Sequence, residues 1–88
     1  MQTKMFEKVF SKIGNLQKEF RISYSKTMQT HPYKSFGILM EKIEGDSVER
    51  AEINDISINE QRVENLLAYL YENAVSPVHA YDIIYDLL

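Results

Sequence analysis

Two amphipathic helices in tandem close this chain, and whatever precedes them must supply an apolar surface to cover them. Ser57-Ile58-Asn59-Glu60 has the form of a capping box, in which a Ser oxygen accepts from an orphan amide and the Glu three residues on reaches back. Val63, Leu66, Leu67, Leu70 and Ala74 then recur at spacings of three and four, the mark of one apolar helix face. Ser76-Pro77 starts the second helix, with Ser as cap and Pro at the first position, where its missing N–H costs nothing. That helix ends on Ile83, Ile84, Leu87 and Leu88; Val78, Ile84 and Leu88 are expected to face the core. The expected helices cover about 58–74 and 77–88.

The preceding half reads as strands. Residues 4–13 admit two readings, because Met5, Val9 and Ile13 fit a helix at spacing four and also fit a strand. Gly14-Asn15 is a hairpin signal, since both residues tolerate positive φ. With that turn, Ile13 faces Leu16, Val9 faces Phe20, Glu7 faces Ile22 and Met5 faces Tyr24. Lys8, Lys12, Gln17, Arg21 and Ser23 then share the opposite face with Phe6 and Phe10. Residues 18–27 alternate well, with Phe20, Ile22 and Tyr24 on one side. A loop containing His31-Pro32 follows. In residues 34–43, Phe36, Ile38 and Met40 share the core face, and Gly37, Leu39 and Ile43 the other; Gly37 predicts a bulge or a close approach. A turn at Gly45-Asp46 sets Ile43 opposite Val48, Met40 opposite Ala51 and Ile38 opposite Ile53. Asp55 is expected to meet backbone amides where the chain turns into the first helix. Strands over about 5–13, 18–27, 34–43 and 48–56, followed by two helices, predict an α+β fold. It is an antiparallel meander of three to four strands with both helices on one face, in a single domain over 1–88.

Composition removes several classes of function. At 88 residues the chain buries roughly 60–65% of its unfolded surface, a thin margin of stability. It has no cysteine, which excludes a disulfide scaffold, a Cys-based zinc site and a Cys nucleophile, and fits a reducing cytoplasm. The apolar runs are too short to span a membrane, and no leader peptide is visible. Residues 1–44 carry eight Lys/Arg against four Asp/Glu, whereas residues 45–88 carry two against nine. This is a polarity that a fold can neutralise internally or present to a charged partner.

The run Tyr33 to Ile43, the strand Ala51-Glu52-Ile53-Asn54-Asp55-Ile56-Ser57, the helix Val63 to Leu70 and the segment Val75 to Leu88 resemble DUF6514, a family of small proteins of unknown function from clostridia and related Firmicutes. The likeness lies in an aromatic-Gly-Ile strand, a strand ending Asp-Ile-Ser, and a terminal Pro…Asp-Ile…Asp-Leu segment over about the last fifty-five residues. The family has Tyr before Gly-Ile; here Phe36 stands there. The resemblance implies the α+β layout and a bacterial or phage cytoplasmic setting, and carries no activity, cofactor or catalytic residue.

No residues suggest an active site. His79, Asp82 and Asp86 share a helix face and could touch a metal, but a solvated stripe explains them, and a site would want ligands from a second element. Three glycines exclude a phosphate cradle, and no serine lies beside a glycine-rich elbow. We therefore expect no enzyme, no cofactor, no metal and no small-molecule substrate. The tyrosines point elsewhere. Tyr69, Tyr81 and Tyr85 lie off the apolar helix faces, and Leu39 and Ile43 lie on the second face of the sheet. Tyrosine joins apolar area to a polar tip and is enriched at interfaces. The expectation is a protein-interaction domain that uses these five residues toward a protein partner or as a homodimer. Its sharper form is a small phage or mobile-element protein that blocks a host factor. The alternative is a nucleic-acid binder using Lys8, Lys12, Lys18 and Arg21, which Glu7, Glu19 and the acidic net charge of −3 disfavour.

Overall fold

The computed structural model describes residues 2–11 and 19–87. Four strands come first: β1 (Gln2–Phe10), β2 (Phe20–Gln29), β3 (Ser35–Glu44) and β4 (Ser47–Ser57). Two helices follow, α1 (Glu60–Glu72) and α2 (Pro77–Leu87). The strands form one antiparallel sheet in the order β1-β2-β3-β4. Both helices lie on the same face, α1 against β1 to β3 and α2 against β4 and β3. Ile22, Tyr24, Ile38, Met40 and Ala51 of the sheet meet Val63, Leu67 and Leu70 of α1 and Ala80 and Ile84 of α2 in one core. The fold is the expected α+β meander, and residues 4–10 are strand rather than helix.

The two hairpins differ in how closely they follow the sequence. Ile43 faces Val48, Met40 faces Ala51 and Ile38 faces Ile53, the register the Gly45-Asp46 turn predicts. Between β1 and β2 the register is one residue from the expected one: Phe10 faces Phe20, Lys8 faces Ile22 and Phe6 faces Tyr24. A one-residue slip exchanges the faces. Phe6 and Phe10 therefore turn toward the helices, and Val9 turns out, 55% exposed. The aromatic contacts favour this register. The Phe10 and Phe20 rings stack at 4.4 Å, and Phe6 stacks on Tyr71 of α1 at 4.8 Å. A bulge between Lys4 and Phe6 then restores the outward position of Lys4 and Gln2. The turn at Gly14-Asn15, with Ile13 and Leu16, lies outside the described residues, as does Leu88.

The helix ends also depart in detail. Asn59, not Ser57, caps α1: its Oδ1 accepts from the Arg62 amide at 3.2 Å, while Ser57 Oγ accepts from the Asn59 amide. Glu60 does not reach back. It takes Lys26 Nζ at 2.6 Å, and Glu64, one turn on, takes the same ammonium at 2.7 Å. Lys26 rises from the inner face of β2 with its side chain only 13% exposed, so it ties the first turn of α1 to the sheet. The Lys26 ammonium holds the Glu60 carboxyl below its usual range. At the other end, Ala74 does not continue the apolar face. It adopts φ 51°, its amide bonds the Tyr71 carbonyl, and the Val75 amide bonds the Leu70 carbonyl. That is a Schellman motif, closed by buried Leu70 and Val75.

Tyr24 links this corner to the sheet. Its ring is fully buried and its hydroxyl donates to the Val75 carbonyl at 2.8 Å. Burial, with Tyr71 beside it, pushes the phenol from its ordinary 10.0 up to about 12. Tyr24→Phe should cost about 1–2 kcal/mol at neutral pH, because the Val75 carbonyl loses its partner. The raised value favours the neutral phenol in the folded state. Its contribution is therefore complete below pH 10 and is lost as pH climbs from 10 toward 12. Denaturant melts across that interval should fall less steeply for Tyr24→Phe than for the parent; equal slopes would show that Tyr24 ionises freely in the fold.

Candidate functional site

The second helix is apolar on two sides. Ala80 and Ile84 are buried in the core, with Ile83 packed beside them. On the opposite side Val78, Tyr81 and Tyr85, three and four residues apart, are 66%, 43% and 71% exposed. Asp82 and Asp86 stand exposed along one flank of this stripe. The helix has neither Lys nor Arg. On the other flank lies β4, an edge strand, whose Glu52 carbonyl accepts a hydrogen bond from the Tyr81 hydroxyl at 3.3 Å. That bond occupies a backbone acceptor on an edge that would otherwise be open to another strand. The Glu52 carboxylate itself lies 3.7 Å from Arg50.

The remaining expected contact residues scatter. Tyr69 is 45% exposed but belongs to α1. Leu39 is 1% exposed and has no surface to offer a partner. Next to it on that face, β4 shifts register between Phe36 and Ile38 and carries Asp55 at φ 56°. Its Asn54 thereby lies over Gly37 on the helix-free face, where Ser25, Thr27 and Ser35 are buried too. Among the described residues Asp55 meets no backbone amide; its carboxylate accepts from the Tyr33 hydroxyl at 2.9 Å, which holds that phenol above its usual range. Ile43, 37% exposed, lies in a transverse row Val9–Arg21–Ile43–Val48 at the open end of that face. The row borders a shallow depression of about 410 Å³ that Glu19 and Gly45 also line.

Of the four basic residues, the two described ones, Lys8 and Arg21, do not share a face. Lys8 points to the helices, donating to the Tyr71 carbonyl at 2.9 Å with its ammonium 4.7 Å from the Tyr71 ring centre. Arg21 points the other way, 4.0 Å from Glu7. Lys12 and Lys18 lie outside the described residues. Among the described residues no three His, Cys, Asp or Glu side chains are placed to hold a metal, and no helix is long and apolar enough to cross a membrane.

Sequence reasoning missed Val78, which it assigned to the core. The signal was present in the spacing of Val78, Tyr81 and Tyr85, but Ala80, Ile83 and Ile84 form a competing stripe, and only packing chooses between them.

A four-stranded antiparallel meander with two C-terminal helices on one face, and an apolar stripe left on the second helix, defines a two-layer α+β protein. The chain belongs to the DUF6514 family, described as a family of unknown function, whose model matches residues 3–88. The match includes the N-terminal hairpin as well as the later segments. No curated protein and no solved structure matches the chain.

Proposed function

We propose that this protein is a non-enzymatic interaction domain that docks a protein partner through the exposed stripe of α2. The observation that carries the reading is the exposure of Val78, Tyr81 and Tyr85 together on a helix whose other side is locked in the core. Helix-borne anchors at such spacings are a recurring mode of recognition, and tyrosine is among the residues that dominate interface energetics. A cytoplasmic setting, which the lack of cysteine fits, and a role in blocking a host factor on behalf of a phage or mobile element are the finer forms of this reading.

The test is to pan a displayed peptide library against the immobilised protein and against Tyr85→Ala. Tyr85 is 71% exposed, so the variant should keep the parent's amide spectrum. Selected peptides should bind the parent, weaken about tenfold or more on Tyr85→Ala, and shift the amides of residues 78–86. Peptides that bind both proteins equally, or that shift only the helix-free face of the sheet, would refute it.

A further inference from the structure

We infer that the occupant of the α2 stripe is a basic amphipathic helix, a partner segment with an apolar seam flanked by Lys or Arg; this rests on the reading of α2 as the docking surface. Val78, Tyr81 and Tyr85 stand at successive a and d positions of a heptad, the spacing that receives the knobs of a second helix. Asp82 then occupies the adjoining e position, where coiled-coil partners are chosen by charge, and Asp86 lies one turn further on the same flank. No Lys or Arg follows Arg62 in the chain, so the single imidazole of His79, on the same face, is the one basic group that α2 itself sets beside these two carboxylates. Each is exposed. An acidic flank beside an apolar seam complements a basic flank and repels an acidic one.

The same geometry argues against a second copy of this chain as the occupant. In a two-fold antiparallel pairing through the seam, each Asp82 meets Asp82 of the other copy, a like-charge contact at the centre of the interface. The charge pattern therefore selects a different chain.

The test titrates isotope-labelled protein with three designed peptides and reads amide shifts. One has leucine at a and d and lysine at the other positions; one replaces every lysine by glutamate; one has the composition of the first in scrambled order. The lysine peptide should shift the amides of residues 78–86, and the scrambled peptide should bind about tenfold more weakly or worse. Asp82→Lys with Asp86→Lys should weaken the lysine peptide about tenfold and admit the glutamate peptide. If that double variant loses the parent spectrum, Asp82→Asn, which keeps the side-chain shape, should still weaken the lysine peptide. Equal binding by the scrambled peptide would reduce the effect to bulk charge and overturn the inference. Glutamate-peptide binding at α2 as tight as the lysine peptide's would overturn the inference and leave the docking surface standing. Shifts of residues 78–86 that grow with protein concentration alone would put a second copy there and overturn it. Binding of no peptide at α2 would remove both.

Discussion

Gly37→Ala should destabilise the protein by about 3 kcal/mol or more. A Cβ at Gly37 would run into the Ile53 carbonyl oxygen, and would lie 2.8 Å from Asn54 Cα and 2.9 Å from Thr27 Oγ1. Two of those three atoms are backbone of β4, which cannot swing aside as a side-chain end can. Relief would require unseating the bulge over Gly37, and with it the Tyr33–Asp55 contact and the approach to α1. Gly45→Ala is the control. Gly45 has φ +56°, so alanine there is strained by about 1–2 kcal/mol, but a Cβ meets nothing within 4 Å. Denaturant melts of the two variants should differ clearly, and losses of equal size would mean that β4 does not lie over Gly37.

Phe6→Ala should cost about 2–3 kcal/mol, whereas Val9→Ala should cost less than about 0.5 kcal/mol. Phe6 packs against the core, stacked on Tyr71, which in turn meets Tyr24 edge-on at 5.9 Å. Val9 is 55% exposed on the opposite face. The comparison reports the β1–β2 register directly. In the register that places Val9 opposite Phe20, the two costs would be reversed, so thermal melts of these variants distinguish one residue of slip.

That pair of residues shows where pattern reading loses its grip. Residues 5–10 carry apolar side chains at both odd and even positions: Met5 and Val9, Phe6 and Phe10. Alternation alone cannot say which set is inside when both are apolar. Gly14-Asn15 favours one answer locally, while the stacking of Phe6 on Tyr71, a residue on α1, belongs to another. The β3–β4 hairpin presented no such conflict. Phe36, Ile38 and Met40 alternate with Gly37 and with Glu41 beyond Leu39, so turn and pattern agree, and the register follows. The same contrast runs through the candidate surface. Tyr81 and Tyr85, four residues apart, were legible together as residues off the Ile84 side of α2, but Val78 could join either stripe. Leu39 looked exposed because its side of β3 bears no helix, yet it is 1% exposed, an outcome that alternation along β3 does not carry.

The amino-acid order alone determines that strands from residue 18 onward precede two helices, that Gly45 turns the second hairpin, that Pro77 begins α2, and that no cysteine chemistry is available. These are local properties: periodicity, backbone freedom, a missing N–H, a missing thiol. Tertiary structure decided which face of β1 is buried, that Glu60 serves Lys26 and not its own helix cap, and that Val78 stays outside beside Tyr81 and Tyr85. Each of those outcomes depends on a neighbour distant in sequence. Local rules leave the alternatives close in energy, and the contacts made on folding separate them.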